Sequence, residues 1–148
     1  MGSLGKFACL PATDRSLLIY SALLLAGVRL GLWLLPFRSM RRLLVKLNRD
    51  SHDSQAVEPA TIDRVSWAVT VASRYIPRAT CLTQALATKV LLCRRGQPAV
   101  LRIGVTRSTS GEFLAHAWIE CNGNVVIGGP DVMIERYKSL PPLGEDLL

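Results

Sequence analysis

Apolar residues recur in two rhythms along this chain. Up to about residue 95 they return every three or four positions, and beyond Pro98 they alternate with polar ones, so helices are expected first and strands afterwards. Thr13 or Asp14 can cap a first helix that runs from Ser16 to Leu35 and stops at Pro36. This helix is apolar on every side. About 20 such residues would cross a bilayer, yet Arg29 interrupts the run; a core or interfacial helix is the leading reading and a transmembrane span the alternative. Pro36 fits the first turn of a second helix, Phe37 to Leu47, with Met40, Leu43, Leu44 and Leu47 on one face and Arg38, Arg41, Arg42 and Lys46 opposite. A solvated basic face is the simpler account of it, and contact with a membrane surface or an acidic partner the other. The polar stretch 48–59, which contains His52, reads as a loop.

A third helix is expected from Thr61 to Tyr75, with Ile62, Val65, Trp67, Ala68 or Val69, and Ala72 facing inward, and Pro77 ends it. The fourth follows at once. Thr80 can cap it and leave Cys81 in its first turn; Leu82, Ala85, Leu86, Val90 and Cys93 keep helical spacing until Arg94-Arg95-Gly96 supplies a terminus. After Pro98, Leu101, Ile103 and Val105 alternate with Arg102, Gly104 and Thr106, as in a half-buried strand. Phe113 to Cys121 forms the next strand, and Asn122-Gly123 is a strong hairpin signal that returns the chain through Asn124 to Ile127. The pattern predicts an α+β fold in a single domain, 1–148, with a helical region at 13–75 and a core at 76–140 that joins a helix to an antiparallel sheet.

Length and charge narrow the partners. The 148 residues suffice for one core, and a net charge of +7 with 49% apolar residues suits anionic partners of several kinds. No nucleic-acid partner is expected, because no aromatic-rich RNA-binding strand, zinc finger or helix-turn-helix accompanies the arginines. Cys9, Cys81, Cys93 and Cys121 are irregularly spaced without a C-x-x-C pair, so neither a metal nor a cofactor is called for. Met1 to Thr13 lacks the apolar centre of a secretion signal; the expected location is the cytoplasm, with free thiols and with membrane association through the apolar helix.

The chemistry centres on Cys81 and His116. The unpaired N–H groups and positive dipole end of a helix favour a thiolate, the form in which cysteine attacks. On the strand through His116, side chains alternate, so His116, Trp118 and Glu120 share one face and Ala117, Ile119 and Cys121 the other. If the Cys81 helix covers the His116 face, thiol and imidazole meet as nucleophile and proton shuttle. Each residue also has a plain explanation, since buried cysteines are common and strand histidines are mostly structural. Gln84 is either a cleft residue or a solvated helix position, Trp118 reads as packing, and His52 has no evident partner.

Cys81-Leu82-Thr83-Gln84-Ala85-Leu86-Ala87, then Leu91-Leu92-Cys93-Arg94-Arg95-Gly96-Gln97-Pro98-Ala99, Arg102-Ile103-Gly104-Val105 and Ala115-His116-Ala117-Trp118-Ile119-Glu120 resemble the transglutaminase-like core of lasso-peptide leader peptidases. The likeness covers Tyr75 to roughly Leu140, and the helical amino-terminal half is similar to the standalone form of that family. It implies a papain-related core in which a catalytic helix packs on an antiparallel sheet. It also implies a cysteine peptidase that removes the leader from a ribosomally made precursor, with Cys81 as nucleophile and His116 as acid and base. The family usually carries an aspartate near the return strand. Counting from an uninterrupted Asn122-Gly123 hairpin puts Gly129 opposite His116 with Gly128 one step before it, so the orienting acid is sought at Asp131, with an ordinary turn residue as the alternative. Glu120, two positions along the strand, is the weaker substitute.

The expected partners are the precursor peptide, a separate leader-recognition protein docking on the first two helices, a lasso cyclase that takes the freed amine, and peripheral membrane contact. Two other functions remain: an inactive scaffold or peptide-binding subunit with the same fold, suggested by the missing acid, and a transglutaminase-like acyl transferase in which an amine replaces water.

Overall fold

The computed structural model describes residues 8–36, 38, 39, 42, 43, 46, 57–129 and 134–140. Among these, α1 (Ala12–Leu34), α2 (Pro59–Ser73) and α3 (Cys81–Arg94) precede four strands, β1 (Val100–Arg107), β2 (Phe113–Cys121), β3 (Asn124–Ile127) and β4 (Lys138–Ser139). The strands form one antiparallel sheet in the order β3-β2-β1-β4, and the α+β class read from the apolar pattern is the observed one. Of the second expected helix, positions 38, 39, 42, 43 and 46 are helical; the rest of it, the loop around His52, and Asp131 lie outside the described residues.

α1 starts at Ala12, after Pro11, so Asp14 falls in its first turn rather than at its cap and pairs with Arg64 of α2. Its length and composition would let it cross a membrane. One side of it nonetheless packs on the domain: Leu17 and Leu18 meet Ala68, and Leu25 joins the main core. α2 begins at Pro59, two residues before the expected start, because proline's fixed φ and missing N–H suit a first helical turn. Both Ala68 and Val69 are buried, with Ile62, Val65 and Ala72. Trp67, expected inward, is exposed, since its position falls off the stripe that these five define.

α3 is buried on nearly all sides, from Thr83 through Ala85–Lys89 to Leu91 and Leu92. The reason is its place between α1 and α2 on one side and the sheet on the other, where it meets Leu101, Ala117, Ile119, Cys121 and Ile127. Full burial of each leucine is worth about 2 kcal/mol. Even Lys89 is enclosed, its ammonium donating to the Ala99 carbonyl.

The β2–β3 hairpin turns where expected, with Asn122 at φ 50 and Gly123 at φ 78, the left-handed pair that a two-residue turn requires. Cys121 opposes Asn124 and Glu120 opposes Val125, but the ladder then slips and Ile119 opposes Ile127. This bulge moves everything beyond it by one residue relative to an uninterrupted count. β4 was not legible in the sequence, because two residues carry no period; Ser139 and Lys138 pair with Gly104 and Val105 of β1.

Candidate active site

Cys81 is the first residue of α3, half-buried, and the cap before it is the expected one: Thr80 Oγ1 accepts from the Thr83 N–H at 3.4 Å and lies 3.0 Å from Thr83 Oγ1. The first N–H groups of a helix have no intrahelical acceptors, and here Thr80 takes up those of Thr83 and, through its carbonyl, Gln84. The chain reaches this point through Arg78 at φ 57, and Gln84 Nε2 donates back to the Ala79 carbonyl at 3.2 Å, fastening its side chain across the helix start.

His116 sits on β2, half-buried, with its ring flanked by Trp118 (centroids 6.3 Å apart) and Tyr137 (5.2 Å). Its Nε2 donates to the Gly128 carbonyl. Since a carbonyl can only accept, the proton belongs on Nε2, and Nδ1 keeps the lone pair that a base needs. Glu120, the weaker substitute for an orienting acid, is otherwise engaged: it pairs with Arg102 at 3.1 Å and accepts from Trp118 Nε1 at 2.8 Å.

α3 does not cover the His116 face. It packs on the Ala117, Ile119 and Cys121 side, while Trp118 and Tyr137 occupy the His116 side, Trp118 lying so close over Gly104 that a Cβ there would meet its ring at 2.8 Å. The two side chains are nevertheless brought to one cavity, of about 530 Å³, lined by Cys81, Gln84, His116, Thr70 and the run from Val125 to Gly129. Among the described residues no hydrogen bond joins Cys81 directly to His116, whose Nε2 is engaged by Gly128.

The bulge and two glycines make this meeting at the sheet edge. Gly128 and Gly129 adopt φ 117 and 105, and a Cβ on Gly128 would lie 2.4 Å from Trp118 Cβ, so the main chain passes against Trp118 and presents its carbonyl to His116. The uninterrupted count placed Gly128 one step from His116; the slipped ladder instead sets it beside Trp118. The Gly128 carbonyl and Tyr137 are the site groups that sequence reasoning missed. The glycine pair was visible, but a main-chain acceptor leaves no residue-type signal, and Tyr137 arrives by way of β4.

Cys121 is the buried thiol of the four. All four cysteines are free, and burial in the core pushes the Cys121 thiol up to about 11 from 9.0, partly offset by Lys89. Among the described residues no cluster of three His, Cys, Asp or Glu side chains could hold a metal ion.

Neither the curated proteins nor the solved structures contain a significant match to this chain. The family model described as Transglutaminase-like superfamily matches residues 22–141, which span most of α1, both other helices and the sheet. That superfamily includes cysteine peptidases and acyl transferases, and its match over more than half the sequence identifies this chain as one of its members.

Proposed function

We propose that this chain is a cysteine peptidase that removes the leader from a ribosomally synthesised lasso-peptide precursor, with Cys81 and His116 as its working pair. The observation that carries the reading is the shared cavity: a helix-start thiol and an imidazole whose Nε2 is tied to the Gly128 carbonyl line the same cleft. His116 Nδ1 takes the thiol proton as Cys81 Sγ attacks the scissile carbonyl, and free N–H groups at the start of α3 face the oxyanion. The imidazolium returns its proton to the departing amine, leaving a thioester on Cys81. Water, deprotonated by the same ring, then releases the leader acid and restores the thiol. Asp131 is a candidate third member that orients the imidazole. The freed amine passes to a cyclase, and a separate leader-recognition protein presents the precursor.

Mass spectrometry of a precursor peptide incubated with the chain and a leader-binding protein tests this. Leader loss is expected for the wild type and none for Cys81→Ala or His116→Ala, with a graded loss for Asp131→Ala if it orients the ring. A mass gain from an added amine would mean an acyl transferase. Leader removal that survives Cys81→Ala would leave the scaffold reading, which the glycines at 128 and 129 favour because no carboxylate stands there.

A further inference from the structure

The side of α1 that faces away from the domain is built the wrong way round for water. At 3.6 residues per turn, Ile19, Leu23, Ala26, Leu30, Trp33 and Leu34 fall within an arc about 100° wide. Leu23 is 68% exposed, Leu30 54%, Trp33 77% and Leu34 64%, and between Ile19 and Leu34 the arc carries no charge. The inward side of the same helix holds Ser21, fully buried, whose hydroxyl has no hydrogen-bond partner. A helix between core and water is apolar inward and polar outward, whereas here Leu17, Leu18 and Leu25 face inward and the outward arc is apolar as well. An uninterrupted apolar ridge, about 22 Å long by helical rise, is unusual on a soluble surface.

The flank of this ridge is basic. Ser16 and Tyr20 line a second cavity, of about 610 Å³, together with Arg64, Arg94 and Arg95. Arg64 is paired with Asp14. The Arg94 guanidinium lies 5.6 Å over the Tyr20 ring and Arg95 donates to the Leu91 carbonyl at 3.3 Å; neither is paired with a carboxylate among the described residues. Two cations therefore stand at the edge of an uncharged apolar ridge, in a chain of net charge +7. An amphipathic helix in a bilayer interface has this composition: apolar residues for the acyl boundary and guanidinium groups for lipid phosphates.

We propose that the outward face of α1 is a docking surface for an anionic lipid bilayer, with the helix lying in the plane of the interface. It lies flat rather than crossing because its other side packs on the domain from Leu17 and Leu18 through Leu25 to Val28 and Leu32. The surface is independent of the peptidase chemistry, and its test does not read activity.

The full chain is incubated with vesicles of phosphatidylcholine alone or mixed equally with phosphatidylglycerol, and binding is measured by cosedimentation. Binding to the anionic vesicles is expected to be at least about tenfold tighter and to weaken in high salt. The double substitution Leu23→Glu, Leu30→Glu should abolish it with an unchanged melting curve, both side chains being exposed. Trp33→Ser, which should weaken it severalfold, decides the matter if the double variant fails to fold. Arg94→Gln with Arg95→Gln should erase the preference for anionic lipid. Absence of binding to either vesicle, or equal binding by wild type and the ridge variants, would overturn the proposal. So would a lipid-free dimer that Leu23→Glu, Leu30→Glu dissociates, which would make a second copy the occupant.

Discussion

At the scale of single residues, Gly128 has the most constrained position in the site. Its φ of 117 is one that side-chain-bearing residues rarely adopt, and a Cβ there would lie 2.4 Å from Trp118 Cβ and 2.9 Å from Trp118 Cα. Gly128→Ala is expected to lower stability by about 2–4 kcal/mol, through strain and overpacking together, and to impair any reaction that uses His116. Urea unfolding measures the first effect, and an unchanged midpoint would contradict the close passage over Trp118. Cys121 makes a second residue-scale prediction. Its thiol is held up at about 11 against 9.0 unfolded, so the native state keeps the proton longer. The associated stability is complete below pH 9.0 and is lost as pH rises through 9.0 to about 11, a total on the order of 2–3 kcal/mol. Cys121→Ala should flatten that alkaline decline while lowering stability at neutral pH through the cavity it leaves; a decline of the same depth in the variant would refute the assignment. Cys81, half-buried rather than enclosed, should be alkylated well before Cys121 in a timed labelling experiment.

At the scale of elements, the start of α3 depends on Thr80. Thr80→Ala removes the acceptor for the Thr83 N–H and is expected to cost about 1 kcal/mol, read as a fall in melting temperature. Serine at the same position should restore most of it. This cap was legible in the sequence, as were the helical spacing of α2 and α3, the alternation in β1 and β2, and the Asn122-Gly123 turn, because each is encoded by neighbours in the chain. What could not be read depends on contacts distant in sequence. The bulge between Ile119 and Glu120 has no local signature, so an uninterrupted count misplaced Gly128 by one step. The face of the sheet that α3 would cover was not decided by alternation, since both faces of β2 are apolar enough to be buried: Ala117, Ile119 and Cys121 on one, Trp118 on the other. Lys89 and Thr88 were not expected inside, because helical spacing identifies the apolar stripe and not a helix enclosed on every side. Cys81 and His116 were recognisable one by one; the route by which they reach a common cavity was not.

At the scale of the whole molecule, the helical half and the sheet are not separable. Leu25 of α1, Val65 and Val69 of α2, Leu91 and Leu92 of α3 and Ile119 of β2 belong to one buried cluster. A chain that begins at residue 57 would lose the α1 cover over that cluster and expose α2 and α3 on a side that is now dry. Such a truncation is expected to yield an aggregating or molten product rather than a small folded catalytic core, and near-ultraviolet circular dichroism and gel filtration would detect it. A monodisperse fragment with a sharp melting transition would show that α1 is an accessory. Leu25→Ala in the intact chain is the milder version, expected to cost about 2–5 kcal/mol in chemical denaturation.

The enclosure of α3 has a mechanical corollary. A rod gripped from Thr83 to Leu92 can neither swivel nor slide, so the sulfur two residues ahead of that grip is a stationary target. Under the peptidase reading, adjustment then falls to the incoming polypeptide, and limp, unstructured segments would be cut in preference to ones already folded around the bond to be broken.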